Sequence, residues 1–150
     1  MPQIHYQQFG LFHVITKTKD SIRWCTRESI PERLIDHLRV TRDIHKAFLH
    51  AFCILPNHLH LLLSPGPKGL SSFMRSFKSC SSKEFRRMDP AIGWQTGFYD
   101  ERIRDAKQRG SVVGYIQGNA MKHKLVREVT DWPWTSLHFL DVCDPLEIWV

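Results

Sequence analysis

The sequence has 150 residues, of which 42% are hydrophobic and 24% are charged, as expected for one globular domain with a core of its own. No apolar run approaches the twenty or so residues that span a bilayer, and no apolar stretch follows a basic N-terminus, so we expect neither a membrane protein nor a secretory signal. The four cysteines are far apart and form no C-x-x-C pair, which argues against a zinc ribbon or a disulfide scaffold and fits a reducing cytoplasm.

The charge is distributed unevenly along the chain. The net charge is +6 at pH 7, with an excess of +8 over residues 67–127 and of −5 over residues 128–150. A basic middle segment favours a polyanionic partner, most often nucleic acid, although a solvated surface rich in Lys and Arg would explain the charge equally well. The acidic, Trp-containing tail either folds back over the basic surface or is simply a polar terminus.

Hydrophobic periodicity predicts the element order β-α-β-β-α-β followed by a third helix. The predicted elements are strand 9–18, helix 29–46, two strands within 47–64 joined by a tight turn at Pro56-Asn57, helix 70–88, strand 94–104 and helix 106–119. This order matches the ferredoxin-like split βαβ pattern, in which two helices cover one face of an antiparallel sheet and the other face is free. Many unrelated activities use this fold, so the function has to be argued from side chains.

A His-x-His pattern lies on the second strand of the predicted hairpin. Because side chains alternate along a strand, His58 and His60 face one side, and Leu59, Leu61 and Leu63 face the other. We expect the leucines in the helix-covered core and the histidines on the free face, close enough together to bind one metal ion. Two half-exposed histidines without a metal are the alternative, and a third ligand would have to come from elsewhere.

The third predicted helix carries Tyr115 and Asn119, which are four residues apart and therefore one turn apart on one face. Asn119 offers a carbonyl oxygen suited to Mg²⁺ or Mn²⁺, and Tyr115 offers a phenolic oxygen. Gly114 and Gly118 flank the pair, and each costs a helix about 1 kcal/mol relative to alanine, which indicates the close approach of a backbone or a ligand. A core tyrosine with two glycine packing notches is the alternative.

The two features together predict more than either one alone. A metal ion held by His58, His60 and Asn119 would lie beside the Tyr115 hydroxyl. A phenol with a pKa of about 10 is a poor nucleophile at neutral pH, but a divalent cation on a phosphate oxygen would polarise the phosphorus and stabilise the developing charge. The tyrosine could then displace a 3′-hydroxyl and hold the 5′-phosphate as an ester, which stores the energy of the broken bond for rejoining.

Four motifs in this order resemble the single-tyrosine HUH transposases, in particular the REP-associated tyrosine transposases related to small insertion sequences. The motifs are PNHLHLLL (56–63), similar to the family's His-hydrophobic-His motif, WQTGFYDERIRD (94–105), similar to a strand and loop, and GYIQGNAMKHKLV (114–126) with DWPWTSL (131–137), similar to the catalytic helix and the segment after it. The resemblance runs from about residue 12 to residue 137, which is nearly the whole chain.

The resemblance implies a five-stranded antiparallel sheet, a divalent metal ion (Mg²⁺ or Mn²⁺), and cleavage and rejoining of single-stranded DNA through a 5′-phosphotyrosine. It makes Tyr115 the nucleophile and His58, His60 and Asn119 the metal ligands. Members recognise imperfect hairpins from repetitive extragenic palindromes (REP) together with a short single-stranded segment at the hairpin foot. We therefore expect a transposase domain over residues 1–150 that acts in DNA transposition or repeat processing.

From pattern and resemblance together, the expected fold is α+β, a ferredoxin-like antiparallel sheet of four to five strands with helices on one face and a catalytic helix near the other. The expected partner is single-stranded or hairpin DNA, not a membrane, and the protein is expected to be a monomer or a homodimer. We expect a bacterial cytoplasmic protein that is associated with the nucleoid when bound to DNA. On positional grounds, the basic residues expected to contact DNA are Arg75, Lys78, Arg102, Arg104, Lys122 and Lys124.

Three departures and two rival functions remain. The family often has Asn-Pro where this chain has Asn119-Ala120, so we expect the catalytic helix to extend slightly further here. The C-terminal tail is short, which leaves open whether it controls the activity. Tyr99 is a rival nucleophile that we interpret as structural. A ferredoxin-like module that binds hairpin or single-stranded nucleic acid without cutting it would not need the Tyr115, Asn119 and histidine set. A hydrolase using metal-bound water would not need Tyr115.

Overall fold

The computed structural model describes residues 9–148 and has an α+β architecture with the predicted order of elements. Four antiparallel strands form one sheet in the order β2-β3-β1-β4. The strands are β1 (Phe12–Lys17), β2 (Phe48–Leu55), β3 (His58–Ser64) and β4 (Tyr99–Arg102). The helices are α1 (Ile30–His45), α2 (Leu70–Phe85), α3 (Ala106–Gln117) and the short α4 (Asn119–Lys122). The ferredoxin-like fold is confirmed, and no helix within 9–148 combines the length and apolarity that a membrane span requires.

One face of the sheet is closed by α1 and α2. Leu59, Leu61 and Leu63 of β3 are fully buried there, as their alternation predicts. They belong to one apolar cluster with Leu34 of α1 and Phe73 of α2, which also have no exposed surface. This face therefore supplies the main hydrophobic core of the domain.

The other face is covered by α3, in agreement with the expected catalytic helix near this face, and is not free as in the bare split βαβ pattern. Val112 and Ile116 give α3 a small apolar stripe, and this stripe buries against Leu62 and Cys53 of the sheet. A side-chain pair at spacing i, i+4 is enough to hold a helix onto a strand surface. The covering helix brings its polar residues close to the part of the sheet that carries the histidines.

The strand predicted over residues 94–104 is much shorter in the structure. Only Tyr99–Arg102 pairs with β1 as a strand, and Trp94 makes a single isolated bridge to Thr18. The interruption falls at Gly97, whose φ of +78° lies in the left-handed region that ends an extended run. Phe98 and the residues before it therefore form a loop.

The C-terminal tail packs along the outer edge of β2. The Ile54 N–H donates to the Trp134 carbonyl at 2.9 Å, and the Leu49 N–H donates to the Asp144 carboxylate at 2.8 Å. The Asp144 N–H in turn donates to the Leu49 carbonyl at 2.7 Å. The tail thus satisfies backbone groups of an edge strand, which neither of the two interpretations from the sequence anticipated. The described residues contain four strands, and this segment lies where a fifth strand would pair with β2.

Candidate active site

His58 and His60 lie side by side on the face of β3 that α3 covers, with ring centroids 5.2 Å apart. His60 is only 2% exposed. Burial, reinforced by the neighbouring imidazoles, lowers the pKa of His60 to about 3 and that of His58 to about 4. Both rings are therefore neutral at pH 7, which is the form that binds a metal ion.

Each of the two histidines uses its Nδ1 atom in a hydrogen bond. His58 Nδ1 lies 2.8 Å from Asn57 Oδ1, and His60 Nδ1 lies 3.0 Å from His13 Nε2. An amide oxygen can only accept, so His58 carries its proton on Nδ1 and keeps a lone pair on Nε2. A neutral His60 that donates to His13 keeps its Nε2 lone pair in the same way.

His13 of β1 is a member of this cluster that the sequence analysis missed. It is 6% exposed, lies opposite Leu62 in the β1–β3 register, and stacks on His60 with 5.2 Å between ring centroids. Burial lowers its pKa, and Glu101 partly opposes that shift. Its position was available from the alternation of β1, because Val14 faces the closed core and its neighbours must face the other side.

Tyr115 extends from α3 to the same cluster. Its ring makes edge contacts with His60 and His13, at centroid distances of 5.6 and 5.9 Å. The side chain is 42% exposed, so a substrate can approach the hydroxyl from solvent. The Lys122 ammonium donates to that hydroxyl at 2.8 Å and lies 4.6 Å from the centre of the ring.

Asn119 does not lie on the same helix as Tyr115, so that prediction, and with it the expected extension of the helix, is wrong. Helix α3 ends at Gln117, and Asn119 begins α4. Between them Gly118 has φ −89° and ψ 2°, and a Cβ placed there would lie 3.1 Å from the Gly114 carbonyl oxygen. Gly118 thus allows a close backbone approach, whereas a Cβ at Gly114 would meet no heavy atom of the described residues within 4 Å.

Despite the break, Asn119 is almost fully buried and acts on the same cluster as the histidines. It is 1% exposed, and its side chain partly opposes the lowering of the His58 pKa. Within residues 9–148 neither its amide oxygen nor its amide nitrogen meets the geometry of a hydrogen bond, although the side chain lies close enough to His58 to act on the pKa of that ring as a hydrogen-bonding group. A buried amide without a partner is costly, so this one calls for a ligand.

The donor set fits a divalent metal ion. Within residues 9–148 no group of three His, Cys, Asp and Glu side chains is arranged to hold a metal, so a site here depends on an amide oxygen. The orphaned Asn119 oxygen supplies a hard ligand, and the Nε2 atoms of His58 and His60 supply two imidazole ligands. The hydrogen bonds on the two Nδ1 atoms orient those rings, as is usual for histidine ligands.

A cavity of about 380 Å³ is lined in part by His58. Its lining includes the basic side chains Lys17 and Arg23 and the His123 ring, whose centroid lies 5.2 Å from that of His58. A positively lined cavity next to a candidate metal site suits a phosphate-bearing chain.

Tyr99, the rival nucleophile, is not a core residue. It is 53% exposed on β4, and its ring contacts His13 edge-on at 6.4 Å between centroids. It therefore lies near the cluster, across His13 from Tyr115. The interpretation of Tyr99 as structural is thus not supported by its burial.

The basic residues expected to contact DNA fall in three places. Arg75 and Lys78 line a groove between α2 and the loop before β4, where the Lys78 ammonium donates to the carbonyls of Gln95 and Gly97 at 2.7 Å each. Lys78 thus holds the loop, and burial lowers its pKa.

The other basic residues lie near β4 and α4. Arg102 and Arg104 line a hollow beside α3, and the Arg102 guanidinium also packs over the Phe12 ring, 5.6 Å from its centroid. Lys122 contacts Tyr115, and Lys124 follows α4 with a left-handed φ of +60°. Three of the six residues, Lys78, Arg102 and Lys122, therefore have contacts within the protein that the sequence did not indicate.

Comparisons with known proteins identify the family. The model of the family described as "Transposase IS200 like" matches residues 8–119, and the chain belongs to this family. The chain is 32% identical over 109 residues to the REP-associated tyrosine transposase of Escherichia coli (strain K12), a match that covers 67% of this chain and 60% of that protein. A second protein assigned to that group, from Haemophilus influenzae, is 33% identical over 101 residues, covering 59% of this chain and 57% of the relative. The matches thus span about three fifths of these relatives, and the resemblance to REP-associated tyrosine transposases is confirmed.

Solved structures show the same fold. A REP-associated tyrosine transposase bound to a REP hairpin superimposes with a TM-score of 0.74 at 24% identity, covering 87% of this chain and 78% of that one. A protein described as a transposase from Deinococcus radiodurans R1 superimposes with a TM-score of 0.55 at 21% identity, covering 72% of this chain and 88% of that one.

Proposed function

We propose that this protein cleaves and rejoins single-stranded DNA beside a hairpin, with Tyr115 as the nucleophile and a 5′-phosphotyrosine as the intermediate. The observation that carries the proposal is the contact of the half-exposed Tyr115 ring with His60, which lies beside His58, together with the buried Asn119 amide that acts on His58. Membership of the IS200-like transposase family supports DNA as the substrate.

The residues divide into a nucleophile and a metal-holding group. In cleavage, a bond forms between the Tyr115 oxygen and the phosphorus, and the bond from the phosphorus to the 3′-oxygen breaks, leaving a free 3′-hydroxyl. His58, His60 and Asn119 would hold a divalent metal ion, Mg²⁺ or Mn²⁺, which when bound acts as a Lewis acid on a phosphate oxygen. Burial of the two imidazoles keeps them neutral for that task.

The proposed substrate is a hairpin with a single-stranded flank. One tyrosine makes one covalent link, so a site of this kind acts on one strand at a time. The relative of known structure is bound to a REP hairpin, and basic side chains such as Arg75, Arg102 and Lys17 flank this site and its sheet. A hairpin offers a rigid helix to such residues, while its flanking strand is free to bend into the site.

The proposal is tested with one oligonucleotide presented as a hairpin with single-stranded flanks and as a fully complementary duplex. With Mg²⁺ or Mn²⁺ the hairpin should give a covalent protein–DNA adduct that survives denaturation, together with a fragment ending in a 3′-hydroxyl, and EDTA should prevent both. Tyr115→Phe should bind the hairpin normally and form no adduct, while Tyr99→Phe, the matched control, should form it at nearly the wild-type rate.

Three results would contradict the proposal in different ways. Adduct formation by Tyr115→Phe but not by Tyr99→Phe would move the nucleophile to β4. Cut products without an adduct would favour a hydrolase that uses metal-bound water. Hairpin binding without any cutting, in either metal, would favour a non-catalytic nucleic-acid-binding module.

A further inference from the structure

Lys122 makes a contact within the protein that is not expected of a lysine whose role is to bind DNA. It lies at the end of α4, is exposed to solvent, and donates a hydrogen bond of 2.8 Å to the hydroxyl of Tyr115. Its ammonium also lies 4.6 Å from the centre of the Tyr115 ring. A lysine that served only to bind phosphate would gain nothing from this arrangement, because the tyrosine occupies one of its donors.

The contact between Lys122 and Tyr115 spans the break in the helix at Gly118. On one straight helix, residues seven apart lie two turns apart, at about 10 Å along the axis, which places their side-chain origins far from each other. The backbone here turns at Gly118, and α4 continues from Asn119 to Lys122. The first and last residues of α4 thus contribute to the site, Asn119 with a buried amide near the histidines and Lys122 with an ammonium at the Tyr115 hydroxyl.

The positive charge next to the Tyr115 oxygen comes from Lys122. Two further titratable side chains, the rings of His13 and His60, contact the Tyr115 ring and are 6% and 2% exposed. These rings meet Tyr115 edge to face rather than at its hydroxyl. Lys122 is the side chain that makes a hydrogen bond to the hydroxyl itself.

We infer that Lys122 is a catalytic residue that stabilises negative charge on the Tyr115 oxygen during both cleavage and rejoining. This inference rests on the proposed function. In cleavage the phenol loses its proton to solvent and its oxygen forms the bond to phosphorus, while the departing 3′-oxygen takes a proton from solvent. In rejoining the 3′-hydroxyl loses its proton to solvent and its oxygen attacks the phosphorus, the bond between phosphorus and the Tyr115 oxygen breaks, and the phenolate leaves and takes a proton from solvent. Lys122 keeps its protons throughout and donates one hydrogen bond to the oxygen that carries the charge.

This role predicts a different kinetic signature from a phosphate contact. The tyrosine oxygen is uncharged in the bound phenol and in the phosphotyrosine ester and carries charge only on the way between them, so loss of Lys122 lowers the maximal rate and leaves KM nearly unchanged. A phosphate contact acts on the affinity for DNA, and its loss raises Kd and reduces the salt dependence of binding by about one phosphate.

The test measures adduct formation and rejoining at saturating hairpin DNA for Lys122→Met, with Lys107→Met as the charge-matched control on α3. Lys107 is exposed and lies at the far end of α3 from Tyr115. Lys122→Met should lower both maximal rates by about 10- to 100-fold, the range expected for one hydrogen bond to a charged group, and Lys107→Met should leave both rates near wild type. Lys122→Arg, which keeps a donor and the charge, should retain much of the activity.

The outcomes separate this inference from the proposed function. If the wild-type protein forms no adduct, the proposed function fails. If the wild-type protein forms the adduct and Lys122→Met reaches the same maximal rates with a raised Kd, Lys122 is a phosphate contact and the inference is wrong. A loss confined to cleavage, with rejoining at the wild-type rate, would also overturn it, because the same oxygen carries charge in both directions.

Discussion

The two faces of the sheet are built from the same strands but differ in what they bury. On the closed face, Leu59, Leu61 and Leu63 are packed in a continuous apolar cluster under α1 and α2. On the face under α3, only part of the surface is apolar, and the rest holds His58, His60 and their polar neighbours. Because side chains alternate along β3, the leucines pack in the core that stabilises the fold, and the histidines between them lie in the candidate active site.

The polar part of the face under α3 lowers the stability of the metal-free protein. Asn119 is buried with two polar atoms that lack partners, whereas Thr16, His45 and His50 each have one such atom. Each unpaired buried group costs about 1 to 3 kcal/mol. Such a loss of stability is common where a protein keeps a site ready for a ligand. The difference between the two faces can therefore be tested by substitution.

The largest expected difference is between His60→Ala and Leu61→Ala, neighbours on β3 whose side chains face opposite sides. Leu61→Ala should lower the free energy of unfolding by about 2 to 5 kcal/mol because it opens a cavity in the main core. The protein that remains folded should still form the DNA adduct. His60→Ala should abolish adduct formation, because it removes a metal ligand, while the unfolding free energy falls much less.

Denaturant unfolding and the adduct assay, both at a temperature where each variant is folded, provide the two measurements. We expect Leu61→Ala to lose stability but not adduct formation, and His60→Ala to lose adduct formation with a much smaller loss of stability. A variant His60→Ala that lost as much stability as Leu61→Ala, or one that still formed the adduct in Mn²⁺, would contradict the division between the two faces.

A smaller effect is expected for His13, which contacts a proposed ligand without being one. His13→Phe keeps the ring stacked on His60 but removes the acceptor for the His60 Nδ1 proton. Loss of such a supporting hydrogen bond should weaken Mn²⁺ binding by about 10- to 100-fold, measured by calorimetry. His13→Gln, whose amide oxygen can accept the same proton, should recover most of the affinity.

The matched control for His13 is His50→Phe. His50 is also 6% exposed, and its Nδ1 lies 3.1 Å from the Asp144 carbonyl, away from the cluster. We expect a similar change in stability and no change in Mn²⁺ affinity. Equal affinity losses in both variants would mean that His13 acts through packing alone.

Much of this comparison follows from the sequence, because it depends on local periodicity. Alternation places Leu59 and Leu61 opposite His58 and His60, and the element order gives the sheet its ferredoxin-like topology. Tyr115 is also brought to the histidines, as the resemblance implied. The alternation is predictable because it depends on residues close together in the chain, whereas the contact between Tyr115 and the histidines was expected from the family resemblance.

The features that could not be predicted depend on contacts between distant residues. His13 joins the cluster because β1 lies beside β3, and it was missed because the sequence analysis did not combine that pairing with the alternation of β1. The break at Gly118 reflects backbone conformation, and helical spacing cannot distinguish it from a continuous helix. Lys122 was predicted as a DNA contact on positional grounds, and its contact with Tyr115 was not indicated by the sequence.

The smallest expected effect is on the stability of the metal-free protein, and its sign is unusual. Asn119→Leu replaces a buried amide without partners by an apolar side chain of similar size. In EDTA the free energy of unfolding should rise by about 1 kcal/mol, because the cost of the two unpaired groups is removed. The control is Ser136→Ala, since the Ser136 hydroxyl is buried and accepts a hydrogen bond from the Phe52 N–H at 3.1 Å, so its loss should lower stability. Adding Mn²⁺ should then stabilise the wild-type protein and leave Asn119→Leu unchanged, since only a ligand that binds the folded state shifts unfolding. A loss of stability in EDTA on Asn119→Leu would show that the amide has a structural partner and would weaken the case for Asn119 as a ligand.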